Sequence, residues 1–201
     1  MKDIIIKEFK ESIKVKQLLL KDLGIVSQIE TLAMDIIKTI KSGGKIIFCG
    51  NGGSFSDSQH ITAEFTARLR FDRASIPAIT LGTNSSNLTA ISNDYGYENI
   101  FSRELESLST SKDLFIPIST SGNSPNIIKA IKYAKKIGLK TIGLTGKKRG
   151  KMGKLCNTIN IPSIKTEKIQ EAHIMLGHVL CHLTESTLFK AKISLKSIKN
   201  G

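Results

Sequence analysis

The chain has 201 residues, 40% of them hydrophobic, which supports a folded core in one domain rather than global disorder. Its formal net charge of +13 favours anionic partners such as phosphorylated metabolites, acidic lipids or nucleic acid. No apolar run approaches the roughly eighteen residues of a membrane span, and the charged residues 1–10 lack a signal-peptide core. Three cysteines without a C-x-x-C pair argue against disulfides, so we expect free thiols and a cytoplasmic location.

The positive charge is typical of solvated helix faces more than of a nucleic-acid groove. Lysines recur along residues 129–140, cluster again in residues 147–154, and return in the tail. Aromatic side chains, on which a single-strand binding groove stacks bases, make up only 5% of the chain. We therefore expect a small phosphorylated ligand, no nucleic acid and no membrane.

In chain order, residues 3–42 show two helical patterns and no strand signal. These patterns predict an N-terminal helical hairpin that packs on the following domain or on another subunit. Five short apolar runs then predict strands that are buried on both faces, at residues 45–49, 77–81, 114–118, 141–144 and 158–161. Helical patterns separate or follow them, over about residues 54–70, 99–108, 125–137 and 166–190.

This alternation of strands and helices predicts parallel strands joined by right-handed crossovers. The expected fold class is therefore α/β, a sheet sandwiched between helices. We expect three parts: an N-terminal helical segment at residues 1–42, an α/β domain at residues 43–190, and a basic tail at residues 191–201.

Two loops follow predicted strands at the sheet edge where parallel α/β proteins bind ligands. The first is C-G-N-G-G-S at residues 49–54, whose glycines let the backbone turn sharply and approach a ligand. The second is S-T-S-G-N-S-P at residues 119–125, where Ser124 can cap a helix and Pro125 suits its first turn. Either loop could be an ordinary turn, but the dense hydroxyl groups at a helix N-terminus favour phosphate.

Histidines and acidic groups mark two of the predicted helices. His60 and Glu64 are four residues apart and share a helix face, which suits a metal pair, an acid–base pair or a solvated surface pair. By spacing alone, His178 and His182 make the better metal pair of the last helix, and periodicity does not choose among its candidates. Those candidates are Gln170, Glu171, His173, His178 and His182.

Taken together, C-G-N-G-G-S, S-T-S-G-N-S and the I-Q-E-x-H segment resemble the sugar isomerase (SIS) domain, and more narrowly the bacterial phosphoheptose isomerases. The resemblance extends from about Phe9 to Leu188 and combines H-x-x-x-E with Q-x-x-x-x-x-x-x-H. It implies a SIS phosphosugar-binding domain at residues 43–190 with a flavodoxin-like, five-stranded parallel sheet. It also implies a homotetramer with active sites at subunit interfaces.

The resemblance further implies which residues form the site. One zinc ion per subunit is expected on His60, Glu64, Gln170 and His178, which selects His178 over His182 and leaves His173 a structural or neighbouring role. The second loop is expected to hold the sugar phosphate, and the first loop the sugar. The implied substrate contacts are Asn51, Gly52, Gly53, Ser54, Arg68, Asn93, Asp94, Ser119, Thr120, Ser121, Ser124 and Gln170.

The implied reaction converts sedoheptulose 7-phosphate into D-glycero-D-manno-heptose 7-phosphate, for the heptose of lipopolysaccharide or capsule. Glu64 is expected as the catalytic base and His178 as its partner acid, although a carboxylate that binds metal is a poorer base. One departure is Glu167, where the family usually has Asp. Its extra methylene could move a carboxylate that contacts the sugar.

Two other functions would use the same fold. A non-catalytic SIS protein, similar to the relative that associates with the bacterial replication initiator, would bind a protein partner. That relative lacks the glutamate and the final histidine that this chain has at Glu64 and His178. A sugar-phosphate-sensing regulator would need a DNA-binding domain, and residues 1–42 lack a clear helix-turn-helix pattern. The sequence therefore favours the isomerase.

Overall fold

The computed structural model describes residues 1–189 of the chain. It begins with the predicted helical hairpin, formed by α1 (Lys2–Lys21) and α2 (Leu23–Lys41). Asp22 joins the two helices, and its side chain caps α2 by accepting a hydrogen bond from the Ile25 N–H at 3.1 Å. The predicted basic tail lies outside the described residues. Within them, no helix combines the length and apolarity that crossing a bilayer requires.

Strands and helices then alternate along the chain as predicted. They are β1 (Ile46–Cys49), α3 (Gly53–Thr66), β2 (Ala78–Thr80), α4 (Ser85–Tyr95), α5 (Ile100–Leu108), β3 (Leu114–Ser119), α6 (Pro125–Lys136), β4 (Lys140–Gly146), β5 (Asn157–Ile161) and α7 (Thr166–Leu188). The strands form one five-stranded sheet in the order β2-β1-β3-β4-β5, and all neighbouring strands are parallel. The chain leaves β1 toward one edge and β3 toward the other, which opens a crevice beyond their carboxyl ends.

The sheet is buried on both faces, which explains the continuous apolar runs of its strands. In β1, Ile46 and Phe48 face a core shared with α1, α2, α3 and α7. Ile47 and Cys49 face a second core shared with α5 and α6. The α/β sandwich expected from the sequence is therefore confirmed.

Helix α4 has no counterpart among the predicted elements. It carries no buried residue, so it lacks the apolar stripe from which a helical period is read. Local capping sets its start instead, because the Asn84 side chain accepts hydrogen bonds from the N–H groups of Ser86 and Asn87.

Helix α3 is shorter than predicted, ending at Thr66 rather than near Arg70. The N–H groups of Leu69 and Arg70 turn away from the helix and donate to Glu185 on α7, at 3.4 and 3.1 Å. A distant acceptor therefore ends this helix, and no local stop signal marks the position.

The N-terminal hairpin packs on the α/β unit of the same chain. Lys165 and Lys168 form ion pairs with Glu11 and Glu8 of α1, at 2.5 and 3.0 Å. Much of α1 nevertheless stays apolar and exposed, including Phe9 at 66%. The domain division at residue 42 stays a prediction.

His173 is fully buried in α7 and links this helix to the end of β4. Its Nε2 lies 3.4 Å from the Thr145 carbonyl oxygen, and the Gly146 N–H of the same peptide unit donates to the Thr120 carbonyl at 3.1 Å. Burial lowers the pKa of His173 from 6.5 to about 4, so the imidazole is neutral near pH 7. One peptide group therefore connects α7 with the second loop.

We expect protonation of His173 to destabilise the fold. Because its folded pKa is depressed, its stabilising contribution is complete above pH 6.5 and is lost as the pH falls toward 4. This group alone should lower the free energy of unfolding by about 2 kcal/mol between pH 7 and pH 5. Urea unfolding of the wild type and of His173→Gln at both pH values measures the difference. An equal pH dependence in the two proteins would contradict the assignment.

Candidate functional site

Helices α3 and α7 lie side by side and parallel, and glycines allow their close approach. A Cβ on Gly53, at the start of α3, would come within 2.2 Å of the Gln170 side-chain nitrogen on α7. Further along, a Cβ on Gly177 would lie 2.4 Å from Ile61. Such distances are below any real contact, so a larger residue at either position would displace the Gln170 amide or the Ile61 side chain.

His60, Glu64 and His178 meet between these two helices. The Nε2 of His60 lies 3.3 Å from a Glu64 carboxylate oxygen and 3.0 Å from the Nε2 of His178. One donor atom from each of the three residues lies within 4.8 Å of the others. Two imidazole nitrogens and a carboxylate oxygen match the protein ligands of catalytic zinc sites, which keep a position open. The cluster therefore fits a divalent metal ion.

The structure brings together three of the four predicted metal ligands. Gln170, the fourth, precedes His178 by about 12 Å along α7, and its amide lies over Gly53. Its place as a ligand stays a prediction. His182, the partner of His178 in the spacing-based alternative, does not belong to this three-residue group among residues 1–189. His182 instead contacts the Ser186 hydroxyl at 3.2 Å.

Asn51 of the first loop is held in place by hydrogen bonds to the side chains of two other residues. Its side chain exchanges two hydrogen bonds of 2.9 Å with Asn126 and accepts a third from the Tyr97 hydroxyl at 3.1 Å. Sequence reasoning missed Asn126, which is buried at the start of α6. Its only sequence signal is its position directly after Pro125 in the second loop. This amide pair joins the two loops across the carboxyl ends of β1 and β3.

The second loop folds around Ser119 at the N-terminus of α6. The Ser119 hydroxyl accepts a hydrogen bond from the Gly122 N–H at 3.2 Å and lies 3.2 Å from the Ser124 hydroxyl. Ser124 occupies the predicted N-cap position, but its side chain makes no capping hydrogen bond, because it turns toward Ser119. Ser121 is exposed and accepts from the Asn123 N–H. Several hydroxyl groups therefore lie together at the N-terminus of α6, where the helix dipole favours an anion.

The segment after β4 packs against the second loop and donates hydrogen bonds to it. The Gly122 carbonyl accepts a hydrogen bond from the Met152 N–H, and the Asn123 side chain accepts one from the Lys151 N–H, both at 3.0 Å. Gly122 has a φ of +65°, and a Cβ there would lie 2.0 Å from the Arg149 carbonyl oxygen. These contacts bring the basic residues 147–154 beside the predicted phosphate site.

Three other predicted substrate contacts are not members of the metal-binding cluster. Arg68 is in the segment after α3, where it forms a loose 3.8 Å ion pair with Asp72. Asn93 and Asp94 are exposed near the end of α4, and the Asn93 amide donates a hydrogen bond to the Asp94 carboxylate at 2.8 Å. In the described part of the chain, none of these three predicted contacts makes a hydrogen bond to the cluster. Their roles stay predictions.

Asp57 is a neighbour of the cluster that sequence reasoning missed. It lies one turn before His60 on α3, and one of its carboxylate oxygens is buried with no hydrogen-bond partner among the described residues. Burial raises the pKa of Asp57 to about 6, and the nearby His60 opposes this shift. The D-x-x-H spacing on one helix face was the available signal.

Comparisons with known proteins agree with this arrangement. A family profile described as "SIS domain" matches residues 16–146. The phosphoheptose isomerase of Aneurinibacillus thermoaerophilus is 47% identical over 198 residues, covering 98% of this chain and 100% of that protein. Phosphoheptose isomerase 2 of Campylobacter jejuni is also 47% identical, over 94% of each chain.

A solved structure extends the similarity to three dimensions. The phosphoheptose isomerase from Neisseria gonorrhoeae is similar to this chain with a TM-score of 0.86 at 38% identity. The match covers 92% of this chain and 98% of that one. With the glycine-rich turn, the hydroxyl-rich loop and the His–Glu–His cluster all on one fold, the chain belongs to the SIS domain family and, within it, to the phosphoheptose isomerases.

Proposed function

We propose that this chain isomerises sedoheptulose 7-phosphate to D-glycero-D-manno-heptose 7-phosphate, which supplies heptose for lipopolysaccharide or capsule. The observation that carries the proposal is the convergence of His60, Glu64 and His178 between two helices. The isomerases named above support the reaction class. The proposed location is the cytoplasm, where a reducing environment would preserve the three free cysteine thiols.

In this proposal the phosphate group binds the second loop at the N-terminus of α6. Ser119, Thr120, Ser121 and Ser124 offer hydroxyl groups there, and the positive end of the α6 dipole lies at the same loop. The lysines of residues 147–154 add positive charge nearby, which attracts a dianion. The sugar chain then extends toward the first loop, with its Asn51, Gly52, Gly53 and Ser54.

The proposed chemistry moves one proton between carbons and one between oxygens. Glu64 removes a proton from C1 of the ketose while His178 donates a proton to the C2 carbonyl oxygen, which forms an enediol. Glu64 then returns a proton to C2, and His178 takes the proton from the C1 hydroxyl. The product is the aldose, and both side chains return to their starting protonation states.

We propose zinc as the metal, with His60, Glu64, His178 and Gln170 as the residues that would hold it. A bound zinc ion would act as a Lewis acid that stabilises negative charge on the substrate oxygens. Glu64 cannot be fully basic while it binds metal, and a His178 nitrogen that binds metal has no proton to donate, so for both residues the roles as ligand and in proton transfer compete. Each could take part in proton transfer only through an atom that does not bind the metal at that moment.

Turnover tests the proposed function directly. We expect NMR to show the aldose product when the wild-type protein is incubated with sedoheptulose 7-phosphate. Glu64→Gln keeps the shape but removes the base, so kcat should fall by about 10²–10⁴-fold with little change in substrate affinity. His178→Gln should act similarly, and the double variant should be hardly worse than the worse single one.

The control is Glu106→Gln, the same chemical change at an exposed position of α5. It should leave kcat unchanged. Wild-type protein without turnover would favour a non-catalytic SIS protein that binds a protein partner. Turnover retained in Glu64→Gln would remove Glu64 as the base and make Asp94 or His60 the next candidate.

Binding of the phosphate group tests the second loop. Ser121→Ala should weaken substrate binding by about 1–3 kcal/mol, the range for a hydrogen bond to a charged group. Calorimetry in the Glu64→Gln background, where turnover should be strongly slowed, measures Kd. Ser107→Ala, an exposed position on α5, is the matched control. If Kd is the same in both variants, the phosphate binds elsewhere.

We also propose a homotetramer whose interfaces include α1. This helix exposes a row of apolar side chains at helical spacing, including Ile5, Phe9 and Ile13 at 54%, 66% and 53%. Light scattering should give four times the chain mass at micromolar concentration. Phe9→Asp with Ile13→Asp should reduce that mass, whereas Lys14→Asp should not. A stable wild-type monomer would refute the proposal.

A further inference from the structure

Arg73 and Glu185 form an ion pair beneath the candidate site that is almost completely buried. Their side chains are 1% and 0% exposed, and the Nε of Arg73 lies 3.1 Å from a Glu185 oxygen. Burying two charges costs free energy that apolar side chains of similar size would not. Stability alone therefore does not explain why this buried ion pair is present.

Arg73 caps the end of α3 that carries Glu64. Its guanidinium donates to the Glu64 carbonyl at 2.7 Å and to the Phe65 carbonyl at 2.9 Å. It reaches the Ala67 and Ala74 carbonyls at 3.4 and 3.0 Å. The last carbonyls of a helix have no partner within it, and a cation there also suits the helix dipole. The backbone of Glu64 is thus held directly by Arg73.

Glu185 ties the same segment to α7. Its carboxylate accepts hydrogen bonds from the N–H groups of Leu69 and Arg70, just beyond the end of α3. It lies seven residues after His178, two turns along the same face of α7. Between the two, the Cys181 thiol donates to the Glu64 carbonyl at 3.4 Å. The helices that carry Glu64 and His178 are therefore joined through buried polar contacts.

We propose that Arg73 and Glu185 are positioning residues that set the distance between Glu64 and His178 without touching the substrate. A small displacement of the last turn of α3 would move the Glu64 carboxylate away from both histidines. Misplacing a reacting group by about 1 Å can cost about 10²-fold in rate. The catalytic part of this inference rests on the proposed function, whereas its geometric part concerns the metal-binding cluster alone.

The test removes both charges at once. In Arg73→Met with Glu185→Leu no buried charge is left unpaired, although the Leu69 and Arg70 N–H groups lose their acceptor, so the variant should be less stable than the wild type and urea unfolding must show that it is folded. We expect kcat to fall by about 10–100-fold with KM almost unchanged, because the phosphate site is elsewhere. Zinc affinity, measured by competition with a chromophoric chelator, should fall by a similar factor, as for other residues that orient metal ligands.

Two further variants separate positioning from stability. Lys140→Met with Asp35→Leu removes another ion pair, whose nitrogen and oxygen are 2.5 Å apart and whose aspartate side chain is 8% exposed. Lys140 lies at the start of β4, at the end of the strand opposite to the second loop. Removing this pair should leave kcat and zinc affinity unchanged. Arg73→Lys keeps the charge next to Glu185 but cannot reach several carbonyls at once, so it should lower kcat even if the double variant fails to fold.

The outcomes distinguish this inference from the proposed function. A stable double variant with wild-type kcat and zinc affinity would overturn the positioning role, as would an unaffected Arg73→Lys. Wild-type protein that binds zinc but does not turn over sedoheptulose 7-phosphate would refute the function. In that case a loss of zinc affinity in the double variant would still support the positioning role.

Discussion

Helices α3 and α7 approach closely enough for His60 and His178 to meet because glycines stand at two of their contact points. Gly53 accommodates the Gln170 amide, and Gly177 accommodates Ile61. A methyl group at either position would overlap its neighbour, so the Gln170 amide or the Ile61 side chain would have to move. The 3.0 Å contact between the two imidazoles lies between these two contact points. The donor set for a metal ion therefore depends on backbone packing as much as on its ligands.

The second loop depends on backbone hydrogen bonds from neighbouring segments. Gly146 donates to Thr120, Met152 donates to Gly122, and Lys151 donates to Asn123. None of these bonds uses the serine hydroxyl groups that we expect to bind phosphate. The Ser119 and Ser121 hydroxyl oxygens accept hydrogen bonds only from within the loop, and the loop keeps one shape before the ligand arrives, which lowers the entropic cost of binding.

The groups proposed to react are exposed to solvent, whereas the groups that hold them in place are buried. The His60 side chain is 51% exposed, and that of Glu64 is 22% exposed, so substrate and metal can reach both. The Arg73–Glu185 pair beneath them is excluded from water. Low dielectric strengthens the buried contacts, and packing leaves their side chains little freedom. A rigid polar support under a solvent-accessible cluster suits a site in which small displacements matter.

Patterns that act over a few residues were readable from the sequence alone. The apolar run of β1, the start of α6 at Pro125, and the shared face of His60 and Glu64 follow from local periodicity and backbone preference. The strand–helix alternation predicted the sheet, because parallel strands need helical crossovers. Helix α4 escaped prediction since it buries no apolar stripe.

Only the tertiary structure decided which distant groups meet. Spacing favoured His178 and His182 together as a metal pair, and the choice of His178 alone came from family resemblance before the structure showed it in the cluster. The end of α3 depends on Glu185, more than a hundred residues further along the chain. The pairing of Asn51 with Asn126 likewise requires two loops to meet. Such contacts depend on how elements pack in space, and no local pattern of residues records that.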